Sequence, residues 1–230
     1  MIEITNEALI EKAKIVPIAE ETIESFHQCL DAVARERRYL ALVQAPPLES
    51  AREFVRSNIA HNIPQFVAVR GEEVIGWCDI SPMRLEGFRH CGRLGMGVHK
   101  DFRGRGLGQR LIDRTIADAK QKGLERIELE VFASNAPAIK LYEKVGFVVE
   151  GVKQKARKLD DIYDDLIEMA LFIWDFDFPQ NPHNIRNYDQ EIYHRGHYPQ
   201  YHHRRDQCYS GGRCFCFGLG YRNCGLTLPH

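Results

Sequence analysis

The sequence predicts an α/β fold in layers, with helices packed against a mixed sheet. Residues 126–131 alternate between charged and apolar side chains, which is typical of a half-buried strand. The apolar residues of 20–37 recur at helical spacing. A helical segment at 108–122 separates two strand-like segments, whereas the strands near Gly71 are joined by a short turn. Hairpins mixed with helical crossovers predict both antiparallel and parallel strand pairs.

The elements of the first half follow from apolar periodicity and from the chain breakers between them. A proline pair after Ala45 separates two helical segments. In chain order we expect a strand at 15–18, helices at 20–37 and 48–62, strands at 65–69 and 74–77, a polar loop at 81–92, and a strand at 93–99.

The second half has clear helix boundaries. Gly123 is expected to end the helix at 108–122. Asn135 and Pro137 are typical of a helix start, and Gly146 of a helix end, so a helix is predicted at 136–145. Strands at 147–152 and 162–173 complete the sheet.

The bulk properties limit the function classes. The chain has 230 residues and a formal net charge of −1, so no overall field favours nucleic acid or a membrane surface. No apolar run approaches the ~20 residues that span a bilayer, and residues 1–14 lack the apolar core of a signal peptide. We therefore expect a cytoplasmic protein that binds neither nucleic acid nor membrane. Its seven cysteines do not form an even, spaced framework, which favours reduced thiols.

The composition changes near residue 174, so we expect one domain at 1–173 and an irregular tail at 174–230, disordered or loosely docked. His, Tyr, Arg and Cys become dense there, and apolar periodicity is lost. The tail holds zinc-type residues, but it has no Cys-x-x-Cys, and Cys214 and Cys216 are too close to suit a tetrahedral site. We therefore predict no metal. A reading-frame slip near the boundary is an alternative origin of the tail.

The most informative segment carries glycines at 104, 106 and 108 between a strand and a helix. Glycines allow successive backbone N–H groups to point inward, and such a nest at a helix N-terminus binds pyrophosphate. Arg103 and Arg105 add positive charge around it. The alternative is a glycine turn that serves only the chain path. A P-loop is excluded because no Gly-Lys-Ser/Thr follows, and the glycine spacing does not fit a dinucleotide fingerprint.

Two motifs together resemble the GNAT superfamily of N-acetyltransferases. Arg103-x-x-Gly106-x-Gly108 is similar to its pyrophosphate signature, and the block from Asn135 through Tyr142 to Phe147 is similar to its strand-to-helix segment. The resemblance covers residues 94–147 and is weaker over 15–169. It implies a mostly antiparallel central sheet with a splayed central strand pair and helices on both faces.

The resemblance also implies acetyl-CoA as co-substrate. The strand before the loop would pair with the pantetheine arm, and the loop amides would hold the pyrophosphate. The residues so implied are Met96, Gly97, Val98, Arg103, Gly104, Arg105, Gly106, Leu107, Gly108, Gln109 and Asn135. Asn135 has a second role that follows from the sequence alone, as the N-cap of its helix.

The resemblance implies that Tyr142 is the general acid that protonates the departing thiolate, and a phenol has a suitable pKa for this step. A ring packed in the core is the alternative. Glu130 matches the glutamate that serves as base in ribosomal-protein alanine acetyltransferases of this superfamily. Alternatively, Glu130 belongs to the solvated face of a strand. Asp79, His90 and His99 are further candidates for the base.

The acceptor is expected to be a small primary amine, an amino acid or an analogue. Residues 125–169 resemble bacterial amino-acid acyltransferases and phosphinothricin-acetylating relatives. A protein N-terminus is the alternative acceptor, and a non-catalytic acyl-CoA-binding module is a second alternative. Arg84, Arg89 and His90 could pair with an acceptor carboxylate or lie as solvated charges. The sequence leaves the oligomeric state open, a homodimer included.

Overall fold

A computed structural model describes residues 13–173 as helices packed on a seven-stranded sheet. The strands are β1 (Lys14–Pro17), β2 (Gln65–Arg70), β3 (Glu73–Pro82), β4 (Cys91–Val98), β5 (Arg126–Phe132), β6 (Val148–Leu159) and β7 (Ile162–Phe172). The helices are α1 (Ile23–Ala34), α2 (Leu48–Ala60), α3 (Leu107–Gln121) and α4 (Ala136–Val145). Short 3-10 turns lie at Glu20–Thr22, Glu86–Phe88 and Lys100–Phe102.

The strand order is β1-β2-β3-β4-β5-β7-β6, and β4 and β5 form the parallel pair in a sheet whose other pairs are antiparallel. These two strands are aligned over three positions, which end at Arg93 and Glu128. Beyond them β4 runs on to Val98 and β5 to Phe132 without pairing to each other. The predicted mixed sheet with a splayed central pair is therefore confirmed.

Helices cover both faces of the sheet, as predicted. The face that carries α3 and α4, here the α3 face, buries a core that includes Phe66, Cys78 and Leu111. The opposite face carries α1 and α2 and is called the α1 face; it buries a second core that includes Val67 and Trp77. Successive residues of a strand point to opposite faces, so β2 and β3 contribute to both cores in alternation.

The ends of α3 and α4 follow from local chemistry. The side chain of Asn135 accepts a hydrogen bond of 3.4 Å from the Ala138 N–H, which confirms the predicted N-cap of α4. Gly146 ends α4 in the left-handed region, at φ 109°. Gly106 precedes α3, also with a left-handed backbone.

Two strands are longer than the sequence predicted. β3 continues to Pro82, because its last residues pair with the start of β4, so the predicted loop is shorter than 81–92. β6 continues to Leu159 at the edge of the sheet, and almost all of its side chains are exposed. Exposure on both sides removes the apolar alternation by which a strand is recognised in a sequence.

Several predictions fall outside the described residues. The tail at 174–230, with its histidines and four of the cysteines, is among them, so the domain boundary stays a prediction. Within residues 13–173, Cys29, Cys78 and Cys91 are buried free thiols. In that same range no helix combines the length and the apolar character needed to cross a bilayer. The same residues contain no group of side chains arranged to hold a metal ion.

Candidate active site

The central feature of the site is the point at which β4 and β5 separate, here called the fork. Its last aligned pair is Arg93 with Glu128. The residues two positions further along each strand are Gly95 and Glu130. Strand residues two apart share a face, so both lie on the same face as the last aligned pair.

The glycine loop connects the far end of β4 to α3. Gly104 and Gly106 have φ values of 73° and 77°, in the left-handed region that side chains disfavour. A Cβ at either position would meet no atom within 4 Å, so the backbone conformation, not packing, requires glycine there. The open space beside the first, unpaired amides of α3 suits a pyrophosphate. Arg105 lies on the exposed part of this loop.

Gly108, the third glycine, has a different role. A Cβ there would lie 3.0 Å from Leu141 Cδ2 and 3.5 Å from Met96 Cε. Its missing side chain therefore allows α3 to approach α4 and β4 closely. Gln109 donates from Nε2 to Asp113 at 2.8 Å, while its buried Oε1 has no hydrogen-bond partner among the described residues and can accept from a bound ligand.

The side chain of Arg103 holds the loop in place. Its Nε donates to the Val98 carbonyl at 2.7 Å, its two amino groups bind the carboxylate of Glu36, and its guanidinium lies 4.6 Å from the centre of the Tyr39 ring. The charge predicted to surround the phosphate is therefore largely compensated by Glu36. Arg103 connects the glycine loop to the segment that follows α1.

The β4 residues expected beside pantetheine divide between the two faces. Met96 and Val98 pack against the core of the α3 face and are half-buried. A Cβ on Gly97 would come within 2.2 Å of Trp77 Cη2, because the indole lies directly across this glycine. The Trp77 ring is held in turn by an edge contact with Phe26, at 5.8 Å between ring centres. Packing against Trp77 therefore requires glycine at position 97.

Tyr142 projects from α4 into the α3-face core and is 8% exposed. Its ring centre lies 5.8 Å from that of Phe147. Burial, with a smaller contribution from Cys78, raises the pKa of the phenol well above its ordinary value. The hydroxyl therefore stays protonated at neutral pH, as a proton donor must.

Glu130 lies among charged side chains on the α1 face of β5. Its carboxylate lies 3.0 Å from Lys153 Nζ and 3.8 Å from Arg93 Nη1. Glu168, and then Glu130, raise the pKa of Lys153, which stays positively charged. A cavity of about 160 Å³ lies here. Its lining consists mainly of charged residues, namely Arg93, Arg126, Glu128, Glu130, Glu150 and Glu168.

Asp79, one of the alternative bases, lies on the other side of the fork. It pairs with Gly95 across β3 and β4. Burial raises the pKa of its carboxyl to about 7, against a smaller lowering by a hydrogen bond from Ser81. The signal in the sequence was a single acid inside the apolar run of β3, which buries its neighbours Cys78 and Ile80 completely.

The remaining candidates are not brought to the fork. His99 follows the far end of β4, with Nδ1 3.6 Å from Asp101. Arg84, Arg89 and His90 are exposed. Arg89 lines a separate cavity of about 490 Å³ beyond the start of β2 and the end of β3, with residues that include His61 and Lys122.

Comparison with known proteins identifies the family of the chain. The profile described as the acetyltransferase (GNAT) family matches residues 27–147. The L-amino acid N-acetyltransferase AaaT of Escherichia coli K12 is 34% identical over 109 residues, which cover 47% of this chain and 67% of that protein. The ribosomal protein bS18-alanine N-acetyltransferase of Salmonella typhimurium is 38% identical over 76 residues, which cover 33% of this chain and 51% of that protein.

A solved structure extends the agreement to the fold. The phosphinothricin acetyltransferase of Sinorhizobium meliloti, in complex with acetyl-CoA, superposes with a TM-score of 0.63 over 70% of this chain and 89% of its own, at 16% identity. The resemblance predicted from the two motifs is thus confirmed in both sequence and fold. The chain belongs to the acetyltransferase (GNAT) family.

Proposed function

We propose that this chain transfers an acetyl group from acetyl-CoA to the primary amine of a small molecule, an amino acid or a close analogue. One observation supports this most strongly. The phenol of Tyr142 is buried in the core of the α3 face, near Cys78, which pairs with Met96 of β4 beyond the fork. Two carboxyl groups, Asp79 and Glu130, lie beside the fork on the α1 face, and a left-handed glycine loop follows along β4. This arrangement provides a proton donor and proton acceptors on opposite sides of one opening.

The residues present fit acetyl-CoA. The glycine loop offers open space to a pyrophosphate beside the first amides of α3, and the part of β4 beyond the fork is not paired to β5. From Val98 back to Gly95 the strand spans about 10 Å, at ~3.3 Å per residue. An arm that runs along β4 from the loop would therefore bring its thioester towards the fork. Bound there, acetyl-CoA would supply an activated acetyl group.

Tyr142 is proposed as the general acid. A phenol that burial keeps protonated can donate to the thiolate sulfur as the C–S bond breaks. Asn135 is proposed to contact the pantetheine arm, since its capping bond uses only the side-chain oxygen and leaves the amide N–H groups available.

Glu130 is proposed to receive the acceptor on the α1 face; for the role of base, which the resemblance implies for it, it competes with Asp79. The cavity beside it carries both signs of charge: carboxylates can hold an ammonium group, and Arg93 or Arg126 can hold a carboxylate. This mixture suits a zwitterionic amino acid. The likeness to AaaT favours the same acceptor class, whereas the likeness to the bS18-alanine enzyme favours a protein N-terminus.

Release of free thiol from acetyl-CoA tests the proposal. The purified chain is assayed with free amino acids, with the same amino acids blocked at the carboxylate, and with short peptides that begin with alanine. Preference for free amino acids supports the proposal, and preference for the peptides supports the alternative acceptor. If calorimetry shows acetyl-CoA binding and no amine releases thiol, the chain is a binding module and the proposal is wrong.

A further inference from the structure

The carboxyl group of Asp79 lies directly beside the fork. Its side chain points to the α1 face, since Cys78 and Ile80 on either side belong to the core of the α3 face. A Cβ built on Gly95 would lie 3.5 Å and 3.7 Å from the two carboxyl oxygens. The carboxyl therefore faces the backbone of β4 at the second residue beyond the fork, a position that the missing side chain of Gly95 leaves open.

A buried amide beside Asp79 has unused hydrogen-bonding capacity. Gln65 of β2 pairs directly with Asp79 and is 2% exposed. Its Oε1 accepts from Asn58 of α2 at 2.8 Å, but its Nε2 has no hydrogen-bond partner within the part of the chain that the structure describes. Paired residues on one face have Cβ atoms about 5 Å apart. An unpaired donor next to a carboxyl marks a place for a polar ligand or a water molecule.

Among residues 13–173, the other charged and titratable groups near Asp79 leave it without a counter-ion. Ser81 on its own strand donates a hydrogen bond, and β2 and α2 contribute the neutral amides of Gln65 and Asn58. Arg93 of β4 lies on the same face but contacts Glu130. On α1, the Cys29 thiol lies instead near Glu73, Arg103 and the backbone of His99. His27 of α1 is hydrogen-bonded to the Pro46 carbonyl.

We infer that Asp79 accepts the proton that the acceptor ammonium must lose before it attacks, an inference that rests on the proposed function. In this step an N–H bond of the ammonium breaks, its electron pair stays on nitrogen, and the proton bonds to a carboxylate oxygen of Asp79. The free pair then forms the N–C bond as the C–S bond breaks. The sulfur takes its proton from Tyr142, the new amide nitrogen returns a proton to that residue, and Asp79 releases its proton to solvent.

The carboxyl of Asp79 suits this step better than a carboxylate held by cations. With a pKa of about 7, it is partly ionised at neutral pH, and a base is most effective when its pKa is near the working pH. Glu130, by contrast, lies within 4 Å of two positive groups that compete for its oxygens. The two residues flank the fork, with Glu130 nearer to solvent and Asp79 nearer to the core.

The pH dependence of kcat/KM in Asp79→Asn tests the inference, with the full chain and the best amino acid from the thiol-release assay. The wild-type profile should fall below about pH 7, whereas the variant should lose this limb and show instead a rise at the higher pH where the free amine loses its proton. Its kcat/KM at pH 7 should drop about 100-fold, and the deficit should shrink as pH rises and the ammonium loses its proton unaided. Acetyl-CoA affinity should be unchanged. A purely structural role would lower activity equally at every pH.

Two further variants keep the test decisive. Ser81→Ala removes the hydrogen bond that favours the ionised carboxyl, so its acid limb should move to higher pH even if Asp79→Asn does not fold. Asp118→Asn, which removes a carboxylate that α3 pairs with Lys122, should keep the wild-type profile. An active wild type whose acid limb is the same in Asp79→Asn overturns this inference alone. A wild type that acetylates no amine overturns the proposed function and this inference with it.

Discussion

The two sides of the fork differ in the groups that surround an acidic side chain. On the β3 side, α1 and α2 cover the α1 face, and Asp79 lies beside neutral amides. On the β5 side the same face carries a network of charges, and Glu130 keeps 30% of its side-chain surface exposed. One carboxyl is therefore uncompensated, and the other is held by cations. The environment of a carboxyl group, not the residue type, therefore decides whether it is suited to accept a proton or to bind a positive charge.

The largest expected effect concerns how tightly the α1 face is packed at β4 and at β6, measured as the loss of unfolding free energy when a methyl group is added. Gly97→Ala places a methyl group against the Trp77 indole, which α1 holds from behind, so we expect a loss of about 3 kcal/mol in the free energy of unfolding. Gly151→Ala on β6 is the matched variant. Its Cβ would meet only the end of the Glu168 side chain, at 3.2 Å, and should cost less than about 1 kcal/mol. Urea unfolding measures both, and equal losses would contradict the difference in packing.

The next largest effect should come from Tyr142, the proposed general acid on the α3 face. Tyr142→Phe keeps the ring in the core and removes the donor, so kcat should fall about 100-fold while acetyl-CoA affinity stays near the wild-type value. Calorimetry and steady-state kinetics measure the two quantities. Loss of binding and turnover in parallel would mean that Tyr142 only supports the core. Tyr163→Phe, at an exposed position of β7, provides the control.

A smaller effect concerns the pH dependence of the free energy of unfolding. The folded protein keeps the Asp79 proton up to about pH 7, whereas the unfolded chain releases it near the ordinary aspartate pKa of 3.8, so the wild type should lose stability as pH rises between these values. Asp79→Asn removes this loss. We expect it to stabilise the fold by about 2 kcal/mol at pH 8, less than the full shift because the carboxyl is only half-buried. At pH 4 the two proteins should melt alike. Melting curves across pH would contradict this if the difference did not depend on pH.

The smallest effect is expected on the charged side. Glu130→Gln weakens the attraction for an ammonium group but leaves Asp79 in place, so kcat/KM for the acceptor should fall about tenfold with the acid limb intact. Glu53→Gln, at an exposed position of α2, should change nothing. If Glu130→Gln instead removes the acid limb, Glu130 is the base, as the sequence resemblance predicted.

Local chemistry allowed much of the fold and part of the site to be predicted. The glycine loop, the Asn135 cap and the helix containing Tyr142 all depend on residues within a few positions of one another. The lengths of β3 and β6 did not follow from the sequence, because a strand end is set by its partner strand and β6 shows no apolar alternation. The sequence also could not show which of Asp79 and Glu130 is the better proton acceptor, because the burial and the counter-ions of each carboxyl group depend on other strands.

The sequence by itself determined the family, the glycine loop between β4 and α3, and the helix that Asn135 caps and that carries Tyr142. These features are short motifs whose residue types and spacing carry the chemistry. Only the tertiary structure showed that Arg103 binds Glu36, that Gly97 makes room for Trp77, and that Asp79 lies uncompensated beside the fork. Each of these depends on groups far apart in the chain, whose distance and shielding from water exist only once the sheet has formed and the helices have packed on it.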